Sequence, residues 1–317
     1  MPKILALLRL TVTTFATTVA VGASAAVDVD ALWDIDQPAQ GEVRLREAER
    51  GAQGVELLEI RAAIARSLML QGQLPAAEQE IATVASMLSF GDDVGSARYL
   101  IERGRLSYVQ SLPVAALLDF QNAFQLAERA RSDALAVDAA NMASIVTRAD
   151  PKVSLDWLTR ALALATASQD SRVARLLPAL HNNLGWALAE TGDCNAAMQH
   201  FHASANLWRS VGKTMQTGFA ELGLAHCLRT SGNPKEALKV VEGVQTLANS
   251  SGSHALGGEV QEEIGEIRIA LGDRSGAQHA FAAAASEFSR DPWQAENDPS
   301  RAEHLLLRSR SDAPDTR

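Results

Sequence analysis

The chain has 317 residues, and 29 Lys and Arg against 38 Asp and Glu give a formal net charge of −9. Hydrophobic residues make up 47% and charged residues 21%, which is typical of a globular protein, and the acidic balance argues against nucleic acid as a partner. Aromatic residues are only 5% beside abundant alanine, so extensive β-structure is disfavoured and an all-α fold is expected.

The first 25 residues have the features of a secretory signal peptide. Lys3 and Arg9 accompany an apolar stretch over residues 10–22, and residues 23–25 read Ala-Ser-Ala, a pattern that signal peptidase accepts. An uncleaved membrane anchor is the alternative, but five threonines in the apolar stretch weaken it as a membrane helix. We therefore expect cleavage after Ala25 and a mature chain that is periplasmic or secreted, without stable membrane insertion.

The rest of the chain repeats itself with a period of about 40 residues. Six segments align without a gap, and their first residues are Ile64, Arg103, Asn141, Leu184, Leu224 and Ile264. The third segment matches least well, although its Asp-Pro pair and Leu158 fall in register. A period of this length indicates supersecondary units that stack on one another.

Each segment contains a position at which a helix is predicted to end and another to begin. Glycine or a small residue occupies it, and the six residues are Gly72, Ser111, Ala149, Gly192, Gly232 and Gly272. Glycine accommodates the left-handed conformation that closes a helix. The residue after it is a capping type in four segments, namely Asp150, Asp193, Asn233 and Asp273. Proline stands near the start of the second helix at positions 75, 113, 151 and 234.

Three further columns predict close packing between the two helices. Small residues recur on the first helix, apart from Met142, at Ala65, Gly104, Gly185, Ala225 and Gly265. A second column of small residues is Ala77, Ala116, Ser154, Ala197, Ala237 and Ala277. Large apolar residues follow one turn later at Ile81, Phe120, Leu158, Phe201, Val241 and Phe281. Each unit is therefore predicted to be an antiparallel helical hairpin whose apolar faces are buried by its neighbours.

This pattern resembles the tetratricopeptide repeat family over residues 55–290. The resemblance is carried by Leu184, Gly185, Leu188, Gly192, Ala197 and Phe201 in the fourth unit and by Ile264, Gly265, Gly272, Ala277, Phe281 and Ala284 in the sixth. The family's usual period is shorter, so the chain looks more like members with extended helices. The resemblance implies a right-handed α-solenoid of about six hairpins, whose first helices line a concave groove for a protein or peptide.

Segments at either end complete the predicted organisation. Residues 26–54 are expected to contain a short leading helix, and residues 291–317 a polar-faced capping helix from Ser300 followed by a disordered tail. A solenoid needs such a cap because its last repeat has no neighbour to cover its apolar face.

The candidate motifs for nucleotide binding and for metal binding lack residues or spacings that such sites require. Residues 212–214 (Gly-Lys-Thr) resemble the end of a phosphate-binding loop, but Leu207 stands where its first glycine is required. His200 and His202 lie about 200° apart around a helix, so they cannot share a metal ion. We predict no catalytic residue, no metal site and no cofactor.

The two cysteines after the signal region leave their pairing open. Cys194 and Cys227 are expected to be independent free thiols, although an exported protein permits a disulfide. No group that would activate Cys194 as a nucleophile is recognisable, so a buried or unreactive thiol is the favoured interpretation.

The resemblance also implies which side chains face the groove. The partner-binding residues carried over from the first helices are Arg66, Arg98, Arg105, Tyr108, Asn182, Asn183, Trp186, His226, Arg229, Glu259, Glu262 and Glu266, with Glu59 and Glu263 beside them. The groove would then be basic near its start and acidic near its end, with Trp186 and Tyr108 as apolar anchors. The alternative is that these are ordinary solvated side chains and that Trp186 packs between hairpins.

The predicted function is a non-enzymatic scaffold or adaptor that binds a protein or peptide. The repeat array occupies nearly the whole mature chain and leaves no second domain for chemistry. The alternative is a sensory or regulatory input module of a bacterial envelope signalling system, which similar repeats often provide in larger proteins. The sequence identifies neither the partner nor the oligomeric state.

Overall fold

The computed structural model describes residues 28–33, 35 and 37–310 of the chain. The predicted signal peptide and the predicted disordered tail lie outside these residues. All regular secondary structure in the described ranges is helical. Among the same residues, no helix combines the length and the apolar character that a membrane crossing requires.

Sixteen α-helices follow one another in the described part of the chain. They are α1 (Val29–Leu32), α2 (Pro38–Glu49), α3 (Gly54–Leu70), α4 (Leu74–Met87), α5 (Asp93–Val109), α6 (Pro113–Arg129), α7 (Asp133–Val146), α8 (Pro151–Ala167), α9 (Leu177–Glu190), α10 (Cys194–Ser210), α11 (Thr214–Thr230), α12 (Pro234–Ser251), α13 (His254–Ala270), α14 (Arg274–Arg290), α15 (Pro292–Asn297) and α16 (Pro299–Arg310). A short 3-10 turn, Val173–Arg175, precedes α9.

The helices from α3 to α14 form six antiparallel hairpins, which confirms the predicted all-α solenoid. Each consecutive pair (α3 with α4, through to α13 with α14) packs together, and each hairpin packs on the next. The apolar columns are buried as predicted, with Phe120, Phe201 and Phe281 almost inaccessible to solvent. The weakly matching third unit is also a hairpin, α7 with α8, in which Leu158 is buried.

The first helices require small residues at these positions because phenylalanine rings lie directly against the helix backbone. A Cβ atom added to Gly104 would lie 2.7 Å from the ring of Phe120, and one added to Gly265 would lie 2.3 Å from Phe281. Phe201 is contacted from two sides, since Cβ atoms at Gly185 and Gly223 would lie 2.6 Å and 2.3 Å from its ring. Any side chain at these positions would displace a ring that the core cannot repack without cost.

The turns agree with prediction except in the third hairpin. Five of the six predicted turn residues have φ between 61° and 89°; they are Gly72, Ser111, Gly192, Gly232 and Gly272. Ala149 does not adopt a positive φ, so α7 ends without a left-handed residue. Asp150, Asp193 and Asp273 cap the following helices through their carboxylates. The predicted cap at Asn233 is wrong, because its side chain makes no capping hydrogen bond.

The two ends of the solenoid are covered by extra helices. At the start, α2 packs on α3 and contributes the fully buried Leu45. At the end, α16 packs on α14, and its Leu305 joins Phe281 and Phe288 in one apolar cluster. The outer face of this capping helix is less polar than predicted, because Leu307 is 61% exposed.

Candidate functional site

The first helices of hairpins three to six surround a cavity of about 940 Å³. Its wall is formed mainly by side chains of α7, α9, α11 and α13. Eight of the twelve predicted groove residues meet there: Asn182, Asn183, Trp186, His226, Arg229, Glu259, Glu262 and Glu266. A cavity of this volume is in the range that proteins use to bind ligands.

The cavity wall is strongly acidic. Its six carboxylates are Glu190, Glu259, Glu262, Glu263, Glu266 and Asp298, and its three guanidinium groups are Arg148, Arg229 and Arg301. The described lining therefore carries a formal excess of three negative charges. This part of the groove agrees with the acidic end that the sequence predicts.

Two arginines of the capping helix hold the carboxylates of α13 in place. Arg301 donates to Glu259 at 2.7 Å and to Glu262 at 2.7 Å, while Arg308 donates to Glu266. The guanidinium carbon of Arg301 lies 4.1 Å from the centroid of the Phe288 ring. The sequence pattern predicts only a capping role for α16. The signal for a second role is the seven-residue spacing of these arginines, which places both on one face of a helix.

A second pairing lies deeper in the cavity, between α11 and α13. Arg229 Nε donates to Glu263 Oε1 at 2.7 Å, and a second nitrogen of Arg229 lies 3.1 Å from His226 Nδ1. Burial lowers the pKa of His226 to about 4, helped by Arg229 and opposed by Glu266. Burial also raises the pKa of Glu263, although Arg229 opposes this. His226 is therefore neutral at pH 7 and accepts a hydrogen bond from Arg229.

Trp186 belongs both to the wall of the cavity and to the core. Its ring makes an edge contact with Phe201, with 5.3 Å between the ring centroids, and lies at the same distance from His226. It also lines the cavity and is only half-buried. Trp186 therefore combines both alternatives, since one part of its ring packs against the core and another part lines the groove.

The amides predicted on α9 also lie at the cavity wall. Asn183 Nδ2 donates to Asn141 Oδ1 at 2.8 Å, which joins α9 to α7. The Oδ1 atom of Asn182 is buried and has no hydrogen-bond partner in the described residues.

The predicted basic residues form a separate cluster at the start of the groove. Arg66 of α3 and Arg105 of α5 both donate to Glu102 and Asp138, the second of which lies on α7. Asp138 is only 6% exposed. Burial alone would raise its pKa, but the field of Arg105, Arg66 and Arg98 lowers the pKa below its ordinary value. The cluster therefore crosslinks the first helices of three hairpins.

This cluster corrects the prediction that the start of the groove presents basic side chains to a partner. The arginines lie largely buried against two carboxylates and are not a row of exposed cations. Glu102 was not among the predicted groove residues, although it stands four residues after Arg98 and three before Arg105, which places all three on one helix face. Tyr108 joins neither group, because it is exposed near the end of α5 and does not line the cavity.

The thiols and the other histidines give no sign of chemistry in the described residues. Cys194 and Cys227 are free and pack in one cluster, and burial raises the pKa of the Cys227 thiol. The Nδ1 atoms of His181 and His200 lie 2.9 Å apart. No group of three or more His, Cys, Asp or Glu residues is placed to hold a metal ion there.

Comparisons with known proteins identify the fold. No family model matches the chain, and no curated protein matches it. Among solved structures, a Rap protein complexed with competence and sporulation factor is 14% identical with a TM-score of 0.59, covering 89% of this chain and 82% of its own. NprR in complex with its cognate peptide NprX is 14% identical with a TM-score of 0.62, covering 88% and 81%.

A third structure carries the repeat name itself. A tetratricopeptide repeat protein from Parabacteroides merdae is 15% identical with a TM-score of 0.51, and the match covers 89% of this chain and 99% of that one. Identities this low establish the fold and nothing finer. The chain has a tetratricopeptide-repeat-like fold.

Proposed function

We propose that the protein is a non-enzymatic scaffold that binds a protein or peptide segment in its cavity. The observation that carries the proposal is the cavity itself, about 940 Å³ in volume, bordered mainly by first helices and lined by an excess of carboxylates. Proteins of similar fold support it, since NprR has been solved with its cognate peptide and a Rap protein with competence and sporulation factor.

The charge of the cavity specifies the chemistry of the bound segment. The lining carboxylates outnumber the guanidinium groups even when Arg308, the partner of Glu266, is counted, and this excess favours a segment with Lys or Arg side chains, because opposite charges orient and accelerate association. The ring of Trp186, which lines the cavity, would contact the same segment. The Trp186 ring would supply an apolar contact of the kind that dominates interface energies.

A displayed library of random peptides tests this proposal without knowledge of the partner. We expect selection on the mature chain to enrich peptides with Lys and Arg, and their binding to weaken as ionic strength rises. Ala179→Trp fills the cavity from α9 and is expected to weaken binding at least tenfold, a cost of about 1.4 kcal/mol.

A matched control separates filling of the cavity from addition of a tryptophan. Ala163 is exposed on α8, a second helix, and does not line the cavity, so Ala163→Trp is expected to leave binding unchanged. Binding would be measured by fluorescence anisotropy after circular dichroism shows both variants to be folded. Failure to select any peptide, or equal binding by both variants, would refute the proposal.

We also propose that the protein acts outside the cytoplasm. The support is the signal-peptide pattern of residues 1–25. Mass spectrometry of the chain from a periplasmic or extracellular fraction is expected to find Ala26 as its first residue. A chain that retains residue 1 and stays in the cytoplasm would contradict the proposal.

A further inference from the structure

The two cysteines of the chain belong to neighbouring hairpins and meet between them. Cys194 is the first residue of α10, in the fourth hairpin, and Cys227 lies near the end of α11, in the fifth. Both pack in one apolar cluster with Phe201 and Leu224. The sequence contains no other cysteine, so each thiol has a single candidate partner within the chain.

A neighbouring hydroxyl group shows which part of α11 the Cys194 side chain faces. Cys194 Sγ lies 3.3 Å from Thr230 Oγ1. Thr230 follows Cys227 by three residues, and its hydroxyl donates to Cys227 O at 3.3 Å. Residues three apart lie on one side of a helix, so the sulfur of Cys194 lies over the turn of α11 that carries Cys227.

The two thiols differ in their access to solvent. Cys227 is fully inaccessible, whereas Cys194 is only partly buried. Burial raises the pKa of the Cys227 thiol, and a hydrogen bond with Cys194 raises it further. That hydrogen bond also means that the two side chains point towards each other, which a disulfide requires. Cys194 is therefore the sulfur that a dissolved oxidant reaches first, and Cys227 lies where it can attack second.

We propose that Cys194 and Cys227 form an intramolecular disulfide in an oxidising compartment. The oxidant is itself a disulfide, of an oxidised small thiol or of an oxidoreductase. The proposal rests on the proposed function only for the location of the chain outside the cytoplasm, where such oxidants persist.

The reaction is a pair of thiol–disulfide exchanges. The Cys194 thiolate attacks one sulfur of the oxidant and forms a mixed disulfide, and the other sulfur leaves as a thiolate that takes up the proton lost by Cys194. Cys227 then gives up its proton and attacks Cys194 Sγ, which breaks the mixed disulfide and forms the bond between the two cysteines. The second sulfur of the oxidant leaves with that proton. The two cysteines are thereby oxidised by two electrons, and the oxidant is reduced to two thiols.

The bond would lie directly behind the wall of the acidic cavity. Trp186 packs against the cysteine cluster, and its ring lies 5.3 Å from that of His226, the residue before Cys227. Both rings line the cavity. A bond from α10 to α11 ties together the two hairpins that carry these rings, so the disulfide limits how far this part of the wall can open.

Oxidised glutathione is the probe that tests the proposal on the mature chain. After incubation, intact-mass measurement is expected to show the loss of two hydrogen atoms per chain, and iodoacetamide is expected to modify neither cysteine in denaturant. Trypsin cleaves after Arg209 and Lys213, between the cysteines, so the bond would link the peptides 176–209 and 214–229. Two free thiols, a chain that retains glutathione on Cys194, or a dimer linked between chains would overturn the proposal.

Single substitutions test the order of the two steps. Cys227→Ala is expected to stop at the mixed disulfide and to retain one glutathione on Cys194. Cys194→Ser is expected to retain none, because Cys227 is inaccessible in the folded chain. Glutathione on Cys227 of folded Cys194→Ser, or none on Cys194 of folded Cys227→Ala, would overturn the proposed route.

Thermal unfolding shows whether the bond fits the native packing. The oxidised chain is expected to melt several degrees above the reduced chain, because the bond restricts the unfolded state. Cys194→Ser, which cannot form the bond, is expected to melt at the same temperature under both conditions. Equal melting temperatures for the oxidised and the reduced unaltered chain would overturn the proposal. Retention of residues 1–25 in the cell would instead refute only the proposed location, since these measurements use the isolated chain.

Discussion

The two ends of the groove are built on equivalent first helices, yet they differ in how their charged side chains are paired and buried. At the start, Arg66, Arg98 and Arg105 lie around Asp138 and Glu102, and the ring of Trp33 lies over Arg66. At the far end, carboxylates outnumber arginines around an open cavity. At the start, the buried ion pairs crosslink the hairpins. At the far end, the open volume and the excess of carboxylates leave the cavity available to a ligand.

The largest expected effect tests whether the start of the groove is a crosslink. Asp138→Ala removes the buried carboxylate that Arg66 and Arg105 share. Loss of one partner from a buried ion pair costs about 3–5 kcal/mol, and we expect the free energy of unfolding to fall by that amount. Denaturant unfolding measures it. A loss below about 1 kcal/mol would show that the cluster does not hold the three hairpins together.

A smaller effect is expected at the wall of the open cavity. Gly223→Ala would bring a Cβ atom within 2.3 Å of the Phe201 ring, which also supports Trp186. Overpacking of this kind costs about 1–3 kcal/mol. Gly243→Ala is the matched control, because nothing lies within 4 Å of its added methyl group, and it is expected to stabilise the chain by about 0.5–1 kcal/mol. A neutral Gly223→Ala would mean that the wall is loosely packed.

Low pH is expected to reduce the free energy of unfolding, partly through His226 at the cavity wall. The pKa of His226 is about 4 in the folded chain and about 6.5 when unfolded, so only the unfolded chain gains this proton between these values. Stability is therefore lost as pH falls from about 6.5 towards 4. His226→Gln is expected to remove part of this dependence, and the rest includes His181 and His200, whose pKa values burial also lowers.

Thermal unfolding at pH 7 and pH 5 measures this difference. The melting temperature of the unaltered chain is expected to fall by a few degrees more than that of His226→Gln. An identical fall in both chains would show that His226 is already solvated and would contradict the packing of Trp186 against it.

The smallest effect is expected from the exposed pair at the cavity mouth. Arg148 Nε donates to Glu190 Oε1 at 3.2 Å, and the arginine side chain is 69% exposed. Arg148→Ala is therefore expected to change the free energy of unfolding by less than about 1 kcal/mol, since solvent screens such pairs. A loss as large as that for Asp138→Ala would show that this exposed pair stabilises the chain as much as the buried arginine cluster does.

Most of the fold could be predicted from the sequence because packing constraints repeat in register. The alternation of Gly104, Gly185 and Gly265 with Phe120, Phe201 and Phe281 is visible as columns, and the structure shows the ring-to-backbone contacts that require it. The prediction that the Asn233 side chain caps α12 was wrong, because its Nδ2 atom donates to Ser231 O instead. The positions around the cavity could be predicted because first helices of equivalent repeats face the same side.

What the sequence determined by itself is local and periodic: six helical hairpins, their turns, their buried plugs and the terminal cap. Which side chains become partners was decided only by the tertiary structure. Asp28 and Arg175 lie 147 residues apart, and Arg66 and Asp138 lie 72 apart. Contacts across such separations depend on how the stacked hairpins curve in space, and small rotations at each hairpin interface accumulate to set that curvature. No repeat column contains that information, so arginines that form a basic row in the sequence lie largely buried against Glu102 and Asp138 in the fold.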